Sequence, residues 1–371
     1  MSTEQDNSGT SPEQGRTLEV GGLWWLWLLV IVAMLAMLIR ILLPVAQQGL
    51  GSDPAQVLSL DDYGYDTANQ LPGSGVLTPS GLKRDQIRAL SAPPVVAGSE
   101  VPAINKQERR LYHRKFIVSG DRVVGVSLNG EERAYQINIL NYHEIVNDEL
   151  GGVPIAIVYS PLCDAATVFR RDVSGNTLEF GSSGLLINSN IVMYDRQDSP
   201  SQSSLWSQLQ LRSVAGPKAG TDLQLVPSAL THWGDWVAAH PQTTLMARET
   251  GEPRDYNTNP YLRYFEMGEL RFPVEPLPPA GGMALMDRVI AIRSGDGWNV
   301  YSFDNVKEKA GESGAFGWQG MQFSYIPYSN TLDPPGVVVT DDAGNYLDSI
   351  STFWFAWYAM HPDSVISSLG D

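Results

Sequence analysis

The chain has 371 residues, with 25 Lys and Arg against 41 Asp and Glu, for a formal net charge of −16. That balance excludes nonspecific nucleic-acid binding, which needs a basic footprint, and speaks against docking of the folded part on anionic lipid. A single cysteine excludes an internal disulfide, and the length suits one large domain or two small ones beside a tail.

The first 21 residues are mostly polar, rich in Ser, Gln and Glu through Arg16, and read as a disordered tail. Leu23 to Ile39 is an uninterrupted apolar or aromatic run. As a helix it would span roughly 25 Å at about 1.5 Å per residue. Arg40 interrupts the run and can snorkel, and Ile41 to Ala46 continue it, so residues 22–46 read as a single transmembrane anchor in the bilayer. Trp24, Trp25 and Trp27 gather at one end, as interfacial aromatics do. The segment before the run is acidic and no small-x-small cleavage site follows, which favours an uncleaved anchor over a signal peptide. The positive-inside count is nearly balanced. By analogy to single-anchor exported proteins, the bulk of the chain is placed on the extracytoplasmic, periplasmic side.

Residues 47–110 have scattered Gly, Pro, Ser and Asp and read as a spacer with one short helix near Leu82–Leu90. A compact domain is expected from about Tyr112. Two alternating runs between Asp121 and Leu140 flank Asn129-Gly130, a hairpin signal. Val153–Tyr159 reads as a buried strand and Ile191–Asp195 as another. Thr167–Arg171 and Thr177–Phe180 flank a second hairpin turn at Ser174-Gly175-Asn176. Thr231–His240 reads as a helix capped by Thr231 and stopped by Pro241. The fold class is therefore β-rich α+β.

The chain also repeats itself. Asp121-Arg122-Val123-Val124-Gly125-Val126 matches Asp287-Arg288-Val289-Ile290-Ala291-Ile292. Thr231, Trp233, Trp236, His240 and Pro241 match Thr352, Trp354, Trp357, His361 and Pro362. Two related halves follow, 111–250 and 251–371, of which the first is enlarged. Features in both halves read as scaffold, so the paired Trp-x-x-Trp helices and their histidines are core.

Features of the first half alone point to a site. His143, Glu144, Asn147 and Asp148 lead through a glycine turn and an apolar strand to Ser160 and Cys163. Cys163 reads either as an inert buried residue or as a nucleophilic thiol or soft metal ligand. His143 would be its base or a second ligand, and with Cys163 the candidate metal donor. Glu144 and Asp148 complete the candidate catalytic set. Alternatively these polar residues lock a turn. Asn147, Ser160, Tyr194, Asp195, Arg196 and Trp206 are candidate ligand-binding residues, although Tyr194-Asp195-Arg196 also reads as an internal ion pair and Trp206 as core. Phe180-Gly181-Ser182-Ser183-Gly184 lacks the lysine of a phosphate loop. No zinc-finger spacing, dinucleotide fingerprint or Gly-x-Ser-x-Gly elbow occurs.

Several stretches together resemble the domain of unknown function 3179 family. They are H-E-I-V-N-D-E-L-G-G, Y-S-P-L-C, F-G-S-S-G-L-L-I-N-S-N-I-V-M-Y-D-R, S-L-W-S-Q, W-x-x-W-x-x-x-H-P and R-D-Y-N-T-N-P-Y, spread over about 112–364. The resemblance implies an exported or membrane-anchored protein more than it implies a reaction. The family pattern is Cys-Pro-Leu-Cys, whereas this chain has Ser160 first, so a dithiol cycle does not carry over. Three functions remain open: a thiol- or metal-linked redox-type site at His143 and Cys163, with a transition metal as candidate cofactor, a non-catalytic ligand-binding or assembly subunit of a membrane complex, or a purely structural cell-envelope protein.

Overall fold

This computed structural model describes residues 58–327 and 334–370, together with Met34. The chain divides into Met1–Gln56 and Val57–Asp371, and the elements below belong to the second unit. The expected tail and, apart from Met34, the expected anchor lie outside the described residues. Among the described residues no helix is long and apolar enough to cross a membrane.

The described chain is β-rich α+β, with strands in several sheets. Asn129 and Gly130, with φ of 52° and 83°, close the hairpin of β4 (Arg122–Leu128) and β5 (Glu131–Gln136). Left-handed backbone at both turn positions matches the strand twist, which is why an Asn-Gly pair suits it. Both faces of β4 are apolar. Val124 and Val126 pack with Tyr135 on one face, and Val123 packs with Ala134, Trp233 and Trp236 on the other. A third strand, β15 (Ser228–His232), lies antiparallel on β4 and runs directly into helix α3 (Trp233–Ala239). On the far side, β16 (Thr244–Met246) joins β5 in parallel. A second sheet has β17 (Arg288–Ser294) between β18 (Gly297–Ser302) and β22 (Ser349–Phe353), and β22 runs into α6 (Trp354–Met360).

Another sheet holds β2 (Leu90–Ser91), which precedes β4, and β6 (Ile145–Leu150), β7 (Val153–Ser160) and β8 (Ala165–Arg170), which fall in sequence between β5 and β15. Alternate residues of β7 enter different cores. Ala156 and Val158 join Cys163 and Phe169, while Ile155, Ile157 and Tyr159 join Val168. This double burial explains why β7 reads as a continuous apolar run rather than an alternating one. A further sheet runs β1 (Thr78–Pro79), β11 (Phe180–Ile187), β12 (Asn190–Asp195), β13 (Leu205–Ser207) and β14 (Arg212–Ala215). Its strand β11 contains the Phe180–Gly184 stretch and bulges between Ser182 and Leu185. Gly184 is required there. Its φ is 81°, and an added Cβ would lie 2.4 Å from the Leu82 carbonyl oxygen.

Three local expectations need correction. The described part of the stretch read as a spacer contributes to the sheets, because β1, β2 and β3 (Val95–Ala97) pair with β11, β6 and β16. Residues 82–89 have turns and bends leading into β2 rather than a helix, and the helix here is α1 (Val101–Tyr112), entered through Pro102. Short strands of two or three residues carry too few alternations to stand out in sequence. Finally, Thr231 lies within β15, and His232, which makes no side-chain cap, precedes α3.

Candidate functional site

Helix α2 (Ile137–His143) ends on the His143-Glu144 pair. His143 is buried, and both ring nitrogens are used: Nδ1 lies 2.7 Å from the Arg88 carbonyl oxygen and Nε2 lies 2.6 Å from the Tyr256 hydroxyl. Burial holds its pKa below the usual imidazole range, against the pull of the Arg88 carbonyl. The ring is thus neutral and held in place. Its contacts are not with Cys163.

Glu144 caps α2 with φ 57° and ψ −37°, a region that non-glycine residues seldom occupy. Backbone bonds on both sides fix it: its N–H donates to Leu140 O, and its carbonyl accepts from Tyr159 N–H, both at 2.8 Å. The side chain turns inward. Its carboxyl has one hydrogen bond among the described residues, a long one of 3.4 Å from the Ser182 hydroxyl in the β11 bulge. Burial pushes its pKa up to about 7, only partly opposed by Ser182. Tyr261 is raised by burial first and then by the Glu144 charge, with Arg271 opposing. The segment around helix α4 (Leu262–Met267) therefore brings the Tyr261 phenol within reach of this carboxyl's charge, and Arg271 acts on that phenol.

Cys163 lies beyond the end of β7 with no exposed surface. Burial pushes its thiol up to about 12, against hydrogen bonds with the Ser160 and Asn190 side chains. A thiol at that value is protonated at neutral pH and is a poor nucleophile. Ser160 is likewise buried and serves as its partner. Tyr264, in α4, donates to Leu162 O at 2.8 Å and covers this loop. Among the described residues no three His, Cys, Asp or Glu side chains converge to hold a metal ion.

The other candidates are tied into internal networks. Asn147 is a clamp: its Oδ1 accepts from Phe180 N–H at 2.8 Å and its amide donates to Phe180 O at 2.9 Å and Leu90 O at 3.4 Å. Asp148 pairs with Arg133 at 2.7 Å and accepts from the Tyr135 hydroxyl at 2.9 Å. Asp195 is fully buried, paired with Lys218 at 2.6 Å, and accepts from Ser204 N–H and from Trp206 Nε1. Trp206 is core, with its ring edge-on to Phe180. Tyr194 and Arg196 both engage Asp85. Hence the ion-pair reading holds for this tripeptide, with a partner the sequence reading missed. Both helix-ending histidines are structural as well: His240 and His361 pack on Trp236 and Trp357 with ring centroids at 4.0 Å and 4.2 Å.

One residue went unnoticed in sequence. Asp164 follows Cys163 with φ 46° and is buried. Its carboxylate accepts from Arg122 at 2.8 Å, Arg288 at 2.7 Å and the Tyr159 hydroxyl at 2.9 Å. Burial opposes its ionisation, but the two guanidiniums outweigh it and hold the pKa below the ordinary carboxylate range. The Cys163 carbonyl accepts from Phe353 N–H and the Thr352 hydroxyl, both at 2.9 Å. The Ser160–Asp164 loop is thus pinned between the two sheets that carry Arg122 and Arg288.

Comparison with known proteins returns one family. The model described as protein of unknown function (DUF3179) matches residues 94–364. No curated protein and no solved structure matches the chain.

Proposed function

The chain belongs to the DUF3179 family of proteins of unknown function, and we propose that its site is an acid–base or polar-ligand site centred on Glu144 rather than on the thiol. The observation that carries this reading is a buried carboxyl with one long hydrogen bond, on a backbone held at positive φ. Buried polar groups are normally fully bonded and strained backbone is normally relaxed, so a site that departs from both favours function. Glu144 would hold a proton near neutral pH and donate it to, or share it with, a polar ligand, with Tyr261 as its neighbour. The thiol- or metal-linked reading at His143 and Cys163 has less support, because each is engaged elsewhere.

A thermal-shift screen of small polar ligands on the full chain at acid and alkaline pH tests this. A ligand whose stabilisation survives Cys163→Ala and vanishes in Glu144→Gln is the expected result. Loss in Cys163→Ala with retention in Glu144→Gln would return the site to the thiol.

A second reading, a non-catalytic ligand-binding or assembly subunit of a membrane complex, is favoured by how completely Asn147, Asp148, Asp195 and Trp206 are used inside the fold. Either role is proposed to act from an anchor over residues 22–46, with the bulk of the chain on the extracytoplasmic side. The apolar run Leu23–Ile39 supports it. Alkaline phosphatase fused after Asp371 should be active; an inactive, stably expressed fusion would place this part in the cytoplasm.

The halves 111–250 and 251–371 are proposed to be related. Strands β4 and β17 are each flanked by two antiparallel strands, and in both cases the later one runs into a Trp-bearing helix. Arg122 faces His232 and Arg288 faces Phe353, each immediately before that helix.

A further inference from the structure

The charge of this chain is not spread evenly. Residues 106–115 read K-Q-E-R-R-L-Y-H-R-K, a basic stretch in a chain of net charge −16. Four of its cations, Lys106, Arg109, Arg110 and Lys115, line one groove of about 720 Å³, and no acidic residue lines it. All four are exposed. The nearby Glu108 is paired with Arg114 at 2.8 Å, and among the described residues none of the four has an ion-pair partner. The floor of the groove is apolar, made by Val101, Ile117, Trp233 and Val237.

Asn105 builds this groove. Its Oδ1 accepts from Phe116 N–H at 2.7 Å and from Ile117 N–H at 3.2 Å, and its amide donates to Ile117 O at 2.7 Å. The chain after α1 is thereby tied back to the helix, and Lys115 joins Lys106 and Arg109 in the lining of one groove. Unpaired cations held together repel one another, and an anion relieves that repulsion. A groove of this size, with an apolar floor and a charged rim, suits a small amphiphilic ligand.

We propose that this groove binds an anionic, phosphate-bearing amphiphile, with the phosphate between the α1 cations and Lys115 and the apolar part on Trp233 and Ile117. The acidic headgroup of a phospholipid has this chemistry. Charge averaged over the whole sequence speaks against anionic lipid, but the local field at α1 has the opposite sign.

Calorimetric titration of the full chain in a neutral detergent tests the proposal. Three probes are compared: dihexanoyl phosphatidylglycerol, dihexanoyl phosphatidylcholine and inorganic phosphate. The anionic phosphatidylglycerol should bind tightest, and added salt should weaken it. Replacing Lys106, Arg109 and Arg110 together by Gln keeps helix propensity and should weaken that binding about tenfold or more, since charge-assisted contacts are lost. An unchanged near-ultraviolet circular dichroism spectrum confirms that the variant folds. Equal binding of the two lipids, or undiminished binding by the folded triple variant, would overturn the proposal. Inorganic phosphate binding as tightly as the lipid would overturn its amphiphilic part and leave a free-phosphate site.

Discussion

Partners, not burial alone, decide how the buried carboxyls of this protein titrate. Glu144 and Asp164 are both buried carboxyls, yet they shift in opposite directions. Glu144 has a weak partner, so desolvation wins and the acid is neutral below about 7. Asp164 has two guanidiniums and a phenol, so attraction wins. Replacing Asp164 by Asn would leave Arg122 and Arg288 without their counter-charge. Denaturant unfolding should show a loss of about 3–5 kcal/mol at neutral pH. A depressed carboxylate contributes above its unfolded pKa and loses that contribution as pH falls through the folded value, so the penalty should persist down to acid pH and shrink only below the ordinary 3.8. A neutral-pH loss under 1 kcal/mol would mean that the ion cluster does not hold the loop. None of this was legible in the sequence. The partners of Asp164 lie 42 and 124 residues away, and residue spacing carries no record of such pairs. Glu144 was legible as a candidate because it stands beside His143. Its partner Ser182 was hidden inside what looked like a glycine loop.

At the scale of elements, strands with a turn signal or a long apolar run were readable. The Asn129-Gly130 hairpin and β7 fall where local chemistry demands them. Strand β12 was readable too. Elements defined by their partner were not. The strands β1, β2 and β3 exist because longer strands offer free edges, and the residues themselves read as linker. The paired Trp helices were recognised as core, but the start read for the first was misplaced, because it follows directly from a strand rather than from a capped turn. Gly125 shows how closely such packing is set. A Cβ there would lie 2.2 Å from the Trp236 ring, so this strand position must stay bare for the helix to dock.

For the whole molecule, the family assignment and the β-rich α+β class followed from the sequence, and the chemistry did not. Motif order records ancestry, whereas a buried carboxyl with a weak partner is a property of the folded chain. Composition also averaged away the basic groove beside α1. The most direct measurement of the proposed site is the unfolding free energy of the full chain and of Glu144→Gln, followed from acid to alkaline pH. A carboxyl raised from an ordinary glutamate's 4.5 to about 7 stabilises the fold fully below the lower value, and that contribution is lost as pH rises through the upper one. The native chain should therefore lose about 3 kcal/mol relative to Glu144→Gln over that window. A difference that stays constant with pH would contradict a protonated Glu144, and with it the acid–base site.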